Sequence, residues 1–193
     1  MFDAFPKELS HDVEIVQSLI SKKTFNIVCL KKHTYTLLNE QIISFPDRIY
    51  YEDEFEIIES KLTFEQKMIY HCIFSRSNNG YIREKHIKYI LKENYPDWTI
   101  PYIVKISDEY VLEILEDIYF ELTSYNNDKM KTFCKMNIQL FLKSYDRMIS
   151  YWNEYYRDNC PHYKDYIGTK LFLECFGYKK SMEKEQNLNK NSL

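Results

Sequence analysis

Carboxylates are the residues whose spacing most invites chemistry. Glu109, Glu113, Asp117 and Glu121 recur every four residues through the run Asp108–Leu122, with Glu116 three residues after Glu113. On an α-helix that spacing stacks side chains along one face. Like charges so arranged repel one another unless something cationic lies over them. The face therefore suits a divalent cation or a basic partner surface. The plainer reading is a solvated face paired internally with Arg83, Lys85 or Lys88. General acid–base work would need two carboxyls in different environments within a cleft, and nothing in this run supplies that difference. The five acidic residues are taken as a candidate partner-binding face.

Other chemistry is thinner. Cys160-Pro-His162 with Cys175 is the one Cys/His grouping with local character, and it offers three ligands where a structural zinc wants four. There is no HExxH, CxxC or GxSxG pattern, and the glycines, Gly80, Gly168 and Gly177, are too scattered to cradle a phosphate. His71 and His86 fall on helix faces and read as half-buried structural residues rather than bases. No catalytic residue, metal or cofactor is expected. Arg83, Lys85, Lys88 and Lys92 make one helix locally basic, as a DNA-reading helix would be.

Composition narrows the class. The chain has 193 residues, 45% hydrophobic and 28% charged, which suits a folded protein rather than a disordered one. A net charge of −3 argues against nucleic acid as the main partner. The 18 tyrosines can stack bases or sugars, but a Tyr more simply fills the edge of a core while its hydroxyl reaches water. Five widely spaced cysteines suggest reduced thiols in a cytoplasmic protein. The N-terminal segment has neither a basic nor an apolar signal region, and no run of 18 apolar residues is present, so neither secretion nor a membrane span is expected.

Helices must position these groups. Ser10 opens a first helix to about Lys22, with Val13, Val16, Leu19 and Ile20 inward. Phe25–Leu30 reads as helix or strand, and helix is preferred because no second strand follows. Tyr35, Leu38, Ile42 and Ile43 give another helical stripe. Residues 47–61 form an acidic connector. Thr63 to Gln66 is a capping box, opening an αα-hairpin whose second helix is 81–94 and whose turn includes Gly80, able to supply positive φ. Pro101 sits in the first turn of a short helix capped by Thr99. Ser107 or Asp108 caps the acidic helix, with Val111, Ile114, Leu115, Ile118 and Leu122 inward. Residues 129–156 are expected as one long helix with a stripe running on to Trp152 and Tyr156. A last helix, 162–176, ends at Gly177.

Asn79-Gly-Tyr-Ile-Arg-Glu84 and Asp108-Glu-Tyr-Val-Leu-Glu113 align at an offset of 29 residues, matching Tyr81 to Tyr110 and Glu84 to Glu113. With Pro101 opening a short helix between them, residues 79–122 resemble HEAT-type α-helical repeats, although Leu112 stands where that family favours Arg. The resemblance implies stacked helix pairs and a surface used for binding rather than chemistry.

The expectation is therefore an all-α single helical domain of roughly seven or eight helices, with αα-hairpins stacked as a bundle or short solenoid. It comprises an N-terminal helical portion (1–46), the connector (47–61), a main domain (62–178) and a disordered tail (179–193). The expected function is non-enzymatic binding of another protein, such as an inhibitor or immunity-type partner of a basic protein. The alternatives are a nucleic-acid-binding regulator using helix 81–94, and an enzyme whose site is assembled from distant residues.

Overall fold

A computed structural model describes residues 2–20, 27–51, 61–92, 94–124 and 126–183. The chain is mostly helical, with two small antiparallel sheets. It divides into two compact units, Met1–Tyr102 and Ile103–Leu193. The division falls within the short helix α4 (Ile100–Ile106).

The first unit contains α1 (Ser10–Ile20), β1 (Ile27–Val28), β2 (Lys32–Thr36), β3 (Ile42–Pro46), β4 (Ile49–Tyr50), α2 (Phe64–Phe74) and α3 (Gly80–Lys92). Val13, Val16 and Ile20 bury the inner face of α1, whereas Leu19, expected inward with them, is half-buried. The capping box at the start of α2 is complete: the Gln66 N–H donates to Thr63 Oγ1 at 3.3 Å, and the Thr63 N–H donates to Gln66 Oε1 at 3.1 Å. Gln66 also donates to Asp12 at 2.8 Å, tying α2 to α1.

Among the described residues, 27–30 and 35–43 do not form the helices expected there; residues 25 and 26 lie outside the described residues. Ile27–Val28 pairs with Ile49–Tyr50, and Lys32–Thr36 pairs with Ile42–Pro46 in register Thr36↔Ile42 to Lys32↔Pro46. Tyr35 and Leu37 are buried on one strand, Ile43 and Phe45 on the other, a period of two rather than 3.6. Residues Leu38–Glu40 form the loop. The Glu40 N–H donates to Leu37 O at 2.9 Å, and Glu40 takes φ 66°. That is a three-residue hairpin, a turn followed by one left-handed residue. Glycine normally fills the left-handed position, so the loop carried no sequence signal. Glu40→Gly is expected to raise stability by roughly 0.5–1 kcal/mol in urea unfolding, because it removes the left-handed strain from an exposed site. Within the expected connector, Ile49–Tyr50 is β4 and Asp47 accepts from His33 Nε2 at 2.7 Å; residues 52–60 lie outside the described residues.

Tyr102 closes this unit. Its ring stacks on Phe45 at 4.2 Å and on Phe5 at 5.7 Å, and its hydroxyl donates to Ala4 O at 2.6 Å. Gly80 does not take positive φ; it is the first residue of α3, and the Asn79 side chain accepts from the Tyr81 N–H at 3.0 Å.

The second unit contains α5 (Leu112–Thr123), α6 (Asp128–Met136), α7 (Ile138–Tyr151) and α8 (Ile167–Lys170). Ile114, Leu115, Ile118 and Leu122 are fully buried, fixing the phase of α5. The long helix expected over 129–156 is interrupted twice. Asn137 leaves helical geometry (φ −108°, ψ 35°), with its side-chain amide donating to Phe133 O at 3.0 Å, and separates α6 from α7. After Tyr151 the chain widens into a π-helical turn, Trp152–Tyr156. The last helix starts later than expected, at Ile167, passes into a second π-helical turn, Leu171–Cys175, and ends before Gly177 at φ 73°. In the expected tail, Met182 is buried and the Tyr178 hydroxyl donates to Glu183. Residues 184–193 lie outside the described residues.

Candidate functional site

Asp108 does not cap α5. Its carboxylate accepts from Lys105 Nζ at 2.7 and 2.8 Å and from the Ser144 hydroxyl at 3.0 Å, with all three residues buried. Arg147 Nε stands 4.0 Å from the same carboxylate. A buried ion pair is tolerated only when its remaining lone pairs and protons are satisfied, and Ser144 on α7 does part of that. The consequence is geometric. Residues 107–111 are pinned between α4 and α7 as a loop, and the helix begins only at Leu112, with Val111 at its N-cap.

That loop presents Tyr110. Its ring lies 5.8 Å from Tyr151 and 6.0 Å from Tyr155, and those two rings are 6.1 Å apart at 29°. Arg147 fixes Tyr151, donating to its hydroxyl from Nε at 3.2 Å and from Nη2 at 3.0 Å, with the guanidinium 5.5 Å from the ring centroid. The Tyr156 hydroxyl donates to Tyr110 O, and its ring stacks against Tyr166 at 5.5 Å. The π-helical turn holds Trp152 so that its indole N–H donates to Cys160 O at 2.9 Å. Tyr110 is 47% exposed and Tyr155 59%. The hydrogen-bonded rings, Tyr151 and Tyr156, are half-buried, and the open rings of Tyr110 and Tyr155 are positioned by packing against Tyr151. Rigid aromatic side chains cost little entropy to bind, one reason that Tyr and Trp concentrate at protein interfaces.

The predicted acidic residues divide. Glu113 is exposed and Glu116 half-buried. Both act on Tyr156, whose hydroxyl is pushed above its ordinary pKa by burial first, then by Glu113, with Tyr110 and Glu116 adding to it. Phe120, 65% exposed, follows Glu113 and Glu116 along the same stripe. Asp117 and Glu121 are half-buried. Glu109 is only 1% exposed and precedes the helix, so it does not share the face assigned to it. Sequence reasoning missed Tyr110, Tyr151 and Tyr155. The spacing of Tyr151 and Tyr155 was a usable signal, but one equally expected of a buried stripe.

The other candidates resolve differently. Arg83 is buried and donates from Nη1 to Ser77 O and Asn78 O, both at 3.0 Å, and so holds the α2–α3 turn. Lys88 pairs with Glu84 at 2.6 Å. Arg83 and Lys88 thus have work within the fold. His71 and His86 are fully buried rather than half-buried, with their Nδ1 atoms 2.6 Å apart, so one ring donates to the other. Tyr89 stacks on His71 at 3.6 Å, Phe74 on His86 at 5.2 Å, and Tyr70 meets both edge-on. Cys160 faces the carbonyl of His162, whereas Cys175 is buried, its thiol pushed up to about 11 chiefly by burial. Among the described residues no three His, Cys, Asp or Glu side chains converge as a metal site. None of their helices is long and apolar enough to cross a membrane.

Comparisons with protein-family models, with curated proteins and with solved structures find no match to this chain.

Proposed function

We propose that this chain is a non-enzymatic cytoplasmic protein that binds another, basic protein, in the manner of an inhibitor or immunity-type partner. The binding surface is the tyrosine and carboxylate patch of the second unit. The observation that carries this reading is the placement of the Glu113 and Glu116 carboxylates beside a fixed cluster in which Tyr110 and Tyr155 are open to water. Carboxylates attract a basic partner, and tyrosine faces accept its Lys and Arg groups through cation–π contact while excluding water from the ion pairs. Five cysteines without a disulfide agree with a reducing compartment.

The test is capture from the native cell by the tagged protein, repeated with two variants. A basic partner held by the wild type should be lost with Glu113→Lys/Glu116→Lys and released by rising salt. Tyr155→Ala should weaken the purified complex by about 2 kcal/mol, roughly thirtyfold. Failure to recover any protein partner over a range of salt, or a partner indifferent to both variants, would count decisively against this surface.

A further inference from the structure

A second site lies in the first unit and is independent of the patch just described. We propose that the cleft between the N-terminal turn, the β2–β3 loop and the turn before α4 binds a guanidinium or ammonium group carried on a short apolar stem. The cleft has a volume of about 360 Å³ and is lined by Pro6, Glu8, Leu37, Leu38, Asn39, Asp97 and Trp98. That volume is in the range of small-ligand pockets, roughly 300–1,000 Å³.

Three features select the ligand. The first is a fixed carboxylate. Gln41 Nε2 donates to both oxygens of Glu8, at 3.2 and 2.9 Å, and Gln41 Oε1 accepts from the Lys7 N–H at 3.2 Å. One side chain thus clamps the acid to the base of the hairpin loop, and its amide holds the Glu8 carboxyl below the usual range. The second is the indole of Trp98, held edge-on against Phe5 at 5.7 Å and 79°. Trp is the strongest of the aromatic cation acceptors. The third is the apolar wall of Pro6, Leu37 and Leu38, which suits methylene groups rather than a hydrated metal ion. Asp97, next to Trp98, places a second carboxylate on the opposite chain segment. A planar guanidinium can meet a carboxylate with two hydrogen bonds while its face lies on the indole. The site brings together residues far apart in sequence, with Gln41 following the left-handed Glu40 that closes the hairpin loop.

Titration of the full chain with butylguanidinium, followed by the NMR signal of the Trp98 indole N–H (identified by its loss in Trp98→Phe), tests the assignment. A saturable shift is expected, with none from the neutral isostere butylurea. Glu8→Gln and Asp97→Asn should each weaken binding by about three- to tenfold, while the NMR spectrum shows both variants folded. Tighter binding of an acetyl-Gly-Arg-Gly-amide peptide would assign the cation to a protein side chain, and tighter binding of agmatine would assign it to a free amine; either upholds the site. Equal binding of butylurea, affinity unchanged in both variants, or no shift at all would overturn it. None of these outcomes bears on the tyrosine patch, whose own test uses different residues.

Discussion

Asp108→Ala is expected to destabilise the protein by roughly 3–5 kcal/mol, because it strips a buried ammonium of its carboxylate partner. Lys105 and Asp108 are both essentially inaccessible to water, and Ser144 donates to the same carboxylate. Removing the acid takes a buried carboxylate away from both the Lys105 ammonium and the Ser144 hydroxyl. Removing all three, as Lys105→Met/Asp108→Leu/Ser144→Ala, should cost much less than the single change, since replacement of a whole buried ion pair by apolar groups is often close to neutral. Urea unfolding of both variants measures the difference. If Asp108→Ala costs less than about 1 kcal/mol, the network is not what pins residues 107–111. A binding assay on the triple variant adds a further reading. With the loop freed, Tyr110 loses its fixed position, and affinity for a partner should fall even though Tyr110 itself is unchanged.

Acid should unfold the first unit through His71 and His86. Burial, more than any neighbouring charge, pushes both rings down, His71 to about 2 and His86 to about 3; the His86 ring and then Lys85 and Lys67 add to the effect on His71, and Lys85 to that on His86. The folded protein therefore holds both rings neutral. The unfolded chain takes up protons on them below about pH 6.5. From that point down to the folded values, the unfolded state carries more protons, so stability falls as pH falls. Between about pH 7 and pH 4.5 the loss is roughly 2–3 kcal/mol for each histidine, and the pair shares one cavity. Unfolding free energies at the two pH values, for the wild type and for His71→Phe/His86→Leu, provide the check. The variant should lose most of this acid sensitivity. An identical pH slope in both proteins would show that the pair is not the origin.

How much of this was readable from sequence depends on how local the cause was. The capping box at Thr63–Gln66 spans four residues, and it forms as written. The burial of Ile114, Leu115, Ile118 and Leu122 follows from helical period alone. The β2–β3 hairpin was hidden for two reasons. Tyr35, Ile42 and Ile43 happen to fit a helical period as well as a strand period, and the turn uses Glu40 where the informative residue would have been glycine. The break at Asn137 and the two π-helical turns leave no comparable mark, because a helical stripe reads almost the same with one residue out of phase. The candidate site was half legible. Spacing alone puts Glu113 and Glu116 on one face of α5. Glu109 was misplaced because Asp108, which could have capped a helix there, is held by Lys105 instead. The tyrosines were visible as residues but not as a surface, since the pinned 107–111 loop exposes Tyr110 and the π-helical turn after α7 exposes Tyr155.

The bond from Tyr102 to Ala4 has a consequence for the order of events in folding. The first unit is sealed by contacts between its beginning and its end, separated by 98 positions in sequence. Such a closure is entropically late: the intervening loops must shorten by forming α2–α3 and the hairpin before the ends can meet at reasonable cost. On a ribosome, Ala4 and Phe5 emerge well before α4 and must wait for it to be made. Until then Phe5, Tyr35 and Phe45 lack the aromatic ring that completes their stack, and the nascent unit has exposed apolar surface in need of protection.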